Sequence, residues 1–98
     1  MDINKMMKQA QQMQAKIEKA QAELESSEFS KITQGIDVKA YGNKQIISID
    51  IDNELMDDVE MLQDMIVVAI NELFKDIDDE TTKLMQGATG NLNIPGLF

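Results

Sequence analysis

The chain has 98 residues, a formal net charge of −9, and neither Cys nor His. A chain of this length forms one small domain with a marginal core, for which oligomerisation is a natural supplement. Without Cys there are no disulfides or cysteine zinc sites, and without His the commonest general base is missing, so we expect no enzyme, cofactor, metal site or small-molecule substrate. No apolar run is long enough to span a membrane and no apolar signal segment is present, which predicts a soluble, cytoplasmic protein.

The charge is unevenly distributed along the chain. Residues 1–49 contain seven Lys and six acidic residues, a net charge of +1, whereas residues 50–98 contain two Lys and twelve acidic residues, a net charge of −10. Any basic surface must therefore be N-terminal. The chain also has no Arg, the side chain best suited to recognising guanine through two hydrogen bonds.

A long helix is predicted from Asp2 to about Ser26, because this segment is rich in Met, Gln, Ala, Lys and Glu and has no Gly or Pro. Its apolar residues recur at alternating steps of three and four, which forms a narrow seam along the helix. Such a seam predicts packing on another helix, either in a dimer partner or later in the same chain. The seam comprises Ile3, Met6, Ala10, Met13, Ile17, Ala20 and Leu24.

Three short antiparallel strands are predicted next. The first runs from Phe29 to about Thr33 and ends at the Gln34-Gly35 turn. The other two alternate apolar and polar residues on either side of Gly42-Asn43, which predicts a hairpin with one apolar face. A polar connector with a short helical turn at 54–56 follows.

The segment 60–73, EMLQDMIVVAINEL, is the longest nearly unbroken apolar run. Its centre, MIVVAI, resembles a buried strand, but apolar residues spaced by three and four from Val59 to Ile77 favour a helix. Asp57 and Glu60 resemble a capping box at its start, and Gly87 is a predicted stop. The fold class is therefore α+β, in the order helix, three strands, helix (αβββα). We predict a single domain at 1–87 and a flexible tail at 88–98.

The second helix has apolar side chains on its main stripe and also on both flanks of that stripe. This is more apolar surface than one small sheet can cover. We therefore predict an intertwined homodimer. The predicted interface residues are Met61, Met65, Val67, Val68 and Phe74.

Four lysines, Lys5, Lys8, Lys16 and Lys19, lie within about 80° of one another on the first helix, roughly opposite its seam. We call them the lysine stripe; Gln9 and Gln12 lie beside it. One interpretation is an ordinary solvated surface, and the other is a face that follows a phosphate backbone. Two acidic groups, 50–54 and 76–80, lack the spacing of a calcium loop and are interpreted as solvated carboxylates.

The sequence resembles the YbaB/EbfC family of bacterial nucleoid-associated proteins over nearly its whole length. The resemblance is carried by NKMMKQAQQMQAKIEKAQAEL at 4–24, ISIDIDNELM at 47–56, EMLQDMIVVAINEL at 60–73 and NIPGLF at 93–98. It implies a homodimer with projecting helices that is located at the nucleoid in the cytoplasm and has no catalytic activity.

The resemblance also implies binding to the DNA backbone with little sequence specificity. It favours the lysine stripe with Gln9 and Gln12 as the DNA-binding surface, and the acidic second half predicts weak affinity. The alternative is an acidic adaptor of the same fold that contacts partner proteins and does not bind DNA directly.

Overall fold

The computed structural model describes residues 2–89, which form a helix, a three-stranded antiparallel sheet and a second helix. This order confirms the predicted α+β class, and residues 65–70 are helical as expected. The elements are α1 (Ile3–Ser26), β1 (Glu28–Thr33), β2 (Ile36–Tyr41), β3 (Ile46–Ile51), a 3₁₀ helix (Asn53–Asp57) and α2 (Val59–Thr89). Helix α2 continues to Thr89 rather than ending at Gly87, and most of the predicted tail 88–98 lies outside the described residues.

Both long helices begin at an aspartate that caps the first turn. The Asp2 carboxylate accepts a hydrogen bond from the Lys5 amide at 3.3 Å, and the Asp58 carboxylate accepts one from the Met61 amide at 3.1 Å. A carboxylate in this position satisfies an amide that has no partner inside the helix. The predicted cap at Asp57 was wrong by one residue, because Asp57 belongs to the preceding 3₁₀ helix.

We expect Asp58→Ala to lower the free energy of unfolding by about 1 kcal/mol, since the Met61 amide loses its acceptor. Asp57→Ala removes the same group one residue earlier and is expected to change that free energy by less than about 0.5 kcal/mol. Urea denaturation at one fixed protein concentration measures both variants. Equal losses would contradict the assignment of the cap to Asp58.

The sheet has the strand order β1-β2-β3 and packs one face on α2. Strand β2 is central, and its apolar side chains Ile36, Val38 and Ala40 are fully buried. The pairing of β2 with β3 contains a bulge: Lys39 pairs with Ser48 and Ala40 with Ile46, so that Ile47 is the extra residue. On α2 the buried side chains that complete the core are Leu62, Ala69, Leu73 and Ile77.

The single chain is elongated, with extents of 70 × 25 × 14 Å and a radius of gyration of 19.1 Å. A compact domain of this length has a radius of gyration of about 13 Å. Helix α1 contributes to the difference, because residues 3–12 are all exposed and only Leu24 of this helix is fully buried. The C-terminal part of α1 packs on α2, one of the two partners expected for the seam, and Gln21 of this part approaches Met85 at 3.8 Å; the N-terminal part of α1 projects.

Candidate nucleic-acid interface

The lysine stripe lies on the exposed side of α1. Every member of the stripe is exposed, as are Gln9 and Gln12. Helical geometry places Lys5 about 21 Å from Lys19 along the axis, a length equal to about six base pairs of duplex. Glu23 lies on the same side of the helix one turn beyond Lys19, so the positive surface belongs to the projecting part of α1. The structure thus brings all six predicted DNA-binding residues onto one projecting helix.

The ion pairs of residues 2–89 involve other lysines than those of the stripe. Lys31 pairs with Asp76 at 3.2 Å, Lys44 with Asp78 at 2.7 Å, and Lys83 with Glu80 at 3.6 Å. The acidic run on α2 is therefore largely paired with lysines of the same chain, and the four ammonium groups on α1 are available to a ligand. Within the described residues no group of carboxylates is arranged to hold a metal ion.

The five predicted dimer residues occupy two flanks of α2. Val67 and Phe74 lie on one flank, where the Lys44 ammonium sits 5.7 Å from the centre of the Phe74 ring. Met61, Met65 and Val68 lie about 140° further round the helix. That second flank faces β1, whose Thr33 hydroxyl hydrogen-bonds Glu72 at 3.2 Å. Met65 and Phe74 are also partly buried against the core of their own chain, whereas Met61, Val67 and Val68 are exposed.

Strand β3 has an unpaired outer edge within the described part of the chain. Its Ile46, Ile47 and Ile49 remain 39%, 41% and 38% exposed. Exposed edge strands are normally protected by Lys, Pro or other charged side chains, and β3, with the sequence IISIDI, has no Lys or Pro and a single charged residue, Asp50. We call the group Ile46, Ile47, Ile49, Val67 and Phe74 the β3 surface. Sequence reasoning missed its three isoleucines, although an Ile-rich strand without Lys is the signal that identifies it.

The comparisons with known proteins agree with this fold. The sequence model described as the YbaB/EbfC DNA-binding family matches residues 1–92. A nucleoid-associated protein of Clostridium novyi is 49% identical, with 100% of this chain and 90% of the other covered. One of Alkaliphilus metalliredigens is 48% identical, with coverage of 99% and 89%.

A structural comparison points to the same architecture. The crystal structure of an uncharacterized protein from Helicobacter pylori superposes with a TM-score of 0.77 at 17% identity, and covers 92% of this chain and 99% of the other. Among residues 2–89, neither long helix has an apolar stretch of the length that a bilayer crossing requires.

Proposed function

Since the chain belongs to the YbaB/EbfC DNA-binding family, whose members are non-enzymatic, we propose that it binds DNA as a nucleoid-associated homodimer in the cytoplasm. The proposed contact is the DNA backbone, with little sequence specificity. The observation that supports it is the lysine stripe, which is exposed, free of ion pairs within residues 2–89, and carried on a helix that projects from the sheet.

The chemistry of the stripe suits phosphate better than bases. Lysine is a point charge on a flexible stem, whereas the forked donor that reads guanine is arginine, which this chain lacks. Each phosphate that a lysine neutralises releases a condensed counterion from the duplex, and this release supplies most of the affinity in nonspecific binding. Gln9 and Gln12 add hydrogen-bond donors to phosphate beside the charges. The net charge of −9 opposes binding and keeps it weak.

We propose that the β3 surface is the dimer contact. The outer edge of β3 is unpaired, its three isoleucines are part-exposed, and Phe74, on the same flank of α2 as Val67, lies beside Lys44 of the turn that leads into β3. These features suit contact with the same surface of a second copy. Antiparallel pairing of the two β3 strands would satisfy both open edges at once. Two α1 helices would then carry eight stripe lysines. We leave Met61, Met65 and Val68 out of this contact because they lie on the other flank of α2, which faces β1.

Retention on immobilised duplex DNA tests the proposed function. We expect the protein to be retained near 50 mM salt and released by a salt gradient, with a slope of log K against log salt of about −4 to −7 for four to eight phosphates. Two duplexes of unrelated sequence and equal length serve as matched ligands, and we expect their affinities to agree within about threefold, less than the 1 kcal/mol that one specific base contact provides. Absence of retention near 50 mM salt would contradict DNA binding.

The second candidate function is the acidic adaptor, which the net charge of −10 in residues 50–98 favours. An adaptor would contact a basic or apolar protein partner and would pass through the DNA column at every salt concentration. Three of the twelve carboxylates in this segment, on Asp76, Asp78 and Glu80, already pair with lysines of the same chain, which reduces but does not remove the acidic surface that a basic partner would need.

A further inference from the structure

We infer that Gly42 is a positioning residue: it sets the direction in which α1 leaves the sheet, and so determines where the lysine stripe lies on a duplex. The inference rests on the proposed DNA contact, but the geometry that carries it lies entirely within one chain. Gly42 follows β2 directly and opens the turn that leads to β3.

The reason for glycine at this position is contact with the backbone of α1. A Cβ added to Gly42 would lie 1.9 Å from the carbonyl oxygen of Leu24 and 2.7 Å from its carbonyl carbon. Backbone atoms cannot rotate away as the end of a flexible side chain does, so any other residue must push the end of α1 from the turn. Gly42 does not have a positive φ, so its backbone conformation does not by itself require glycine.

Hydrogen bonds hold this close approach in one geometry. The Gly42 amide donates to the Ser27 carbonyl at 3.0 Å, and the Ser27 amide donates to the Leu24 carbonyl at 3.1 Å. The Leu24 side chain is buried beside them, with 7% of its surface exposed. The end of α1 is therefore joined to the turn both by its backbone and by its last apolar side chain.

The other side of the same turn is joined to α2. The Lys44 ammonium pairs with Asp78 at 2.7 Å and lies over the Phe74 ring. The turn from Gly42 to Lys44 thus contacts both long helices and, together with the direct packing of α1 on α2, holds the angle between them. A change in the backbone contact at Gly42 therefore changes the position of the N-terminal end of α1.

The length of α1 amplifies any change at its C-terminal end. Ile3 lies about 31 Å from Leu24 along the helix axis, so a tilt of about 10° at the junction moves the tip by about 5 Å. That displacement exceeds the rise of one base pair, about 3.4 Å. The two lysine stripes of a dimer must contact one duplex at the same time. When either helix is displaced, the two stripes no longer match the spacing of the phosphates, so binding of one stripe favours binding of the other less.

Gly42→Ala tests the inference, with Gly87→Ala as the matched control, because nothing lies within 4 Å of a Cβ added at Gly87. The chain has no Cys, so the exposed positions Gln11 and Asn71 can be changed to Cys to carry one spin label on each helix. Dilution with unlabelled chain leaves one labelled subunit per dimer. Pulsed electron spin resonance then measures the distance between α1 and α2 within one chain.

We expect Gly42→Ala to shift or broaden this distance by about 3 Å, because a tilt of about 10° moves the label at Gln11, about 20 Å along the axis from Leu24, by that amount. DNA affinity should fall about tenfold, and the salt slope should fall to about half, the value for a single stripe at about −0.9 for each phosphate. Gly87→Ala should leave distance, affinity and slope unchanged. The dimer mass by light scattering should be the same for both variants.

An unchanged distance in Gly42→Ala would overturn the inference, and so would a shifted distance with unchanged affinity and slope. If Gly42→Ala does not fold, Leu24→Ala is the second variant, because it loosens the same junction without a steric clash. A distance distribution between α1 and α2 that is no broader in Leu24→Ala than in the wild type would also overturn the inference. Failure of the wild type to bind DNA would instead refute the proposed function, while the distance measurement would still show whether Gly42 sets the helix direction.

Discussion

Replacing Val67 with Glu is expected to weaken dimer association at least a hundredfold. Val67 is 58% exposed in the single chain and belongs to the proposed β3 surface, so in the dimer the new carboxylate would be buried without a partner. An uncompensated buried charge costs about 3–5 kcal/mol, and each 1.4 kcal/mol changes a dissociation constant about tenfold. Two-fold symmetry places the substitution twice in the same interface. Sedimentation or light scattering across a concentration series measures the change.

Val68→Glu is the matched control for this prediction. It introduces the same charge at the next residue, which is 47% exposed but lies on the flank of α2 that faces β1. We expect association to be unchanged in this variant. Unchanged association of Val67→Glu would exclude Val67 from the contact, and dissociation of Val68→Glu alone would place the contact on the β1 flank.

Replacing all four lysines of the stripe with Gln is expected to abolish measurable DNA binding near 50 mM salt. Eight charges disappear from the dimer, and each contributes about −0.9 to the slope of log K against log salt when it neutralises a phosphate. Gln has nearly the helix propensity of Lys, so α1 should keep its helical content. Anisotropy of a labelled duplex measures binding, and circular dichroism verifies the fold.

A smaller pair of variants controls for net charge. Lys5→Gln with Lys8→Gln removes two charges from the stripe, and Lys39→Gln with Lys75→Gln removes two exposed charges elsewhere. We expect the first pair to reduce both affinity and salt slope and the second pair to leave the slope unchanged. Equal losses in the two pairs would mean that affinity follows overall charge and that the stripe is only a solvated face.

The helical assignments were predictable because their patterns are long. The MIVVAI segment alone is ambiguous between strand and helix, and the apolar spacing that continues to Ile77 resolves it. The boundary of the same helix was less predictable, since Asp57 and Asp58 are adjacent and both are suitable caps. Only the 3₁₀ helix, which ends at Asp57, leaves the cap to Asp58.

The candidate site was predictable only where one element carries it. The lysine stripe follows from helical spacing on α1. The same spacing places Val67 and Val68 on opposite flanks of α2, but it does not show which sheet edge lies beside each flank. The ion pairs of Lys31 and Lys44 join residues far apart in the chain, so no local pattern predicts them.

Gly42 illustrates the same limit. Its sequence context signals a turn, but the left-handed backbone of that turn is at Lys44, with φ of 69°. The requirement for glycine comes from the distant carbonyl of Leu24. A close approach between elements far apart in sequence is a tertiary property, and a turn motif does not reveal it.

The exposed start of α1 makes DNA affinity depend on local melting of the helix. Residues 3–12 are held by the helix that follows them and by the Asp2 cap. A helical segment of this length without tertiary packing is marginally stable in water and frays as temperature rises. Lys5 and Lys8 lie within it, so a duplex bound through them also stabilises the helical form. Warming should therefore weaken DNA binding well below the temperature at which the sheet and α2 unfold, and binding should slow amide hydrogen exchange in this segment.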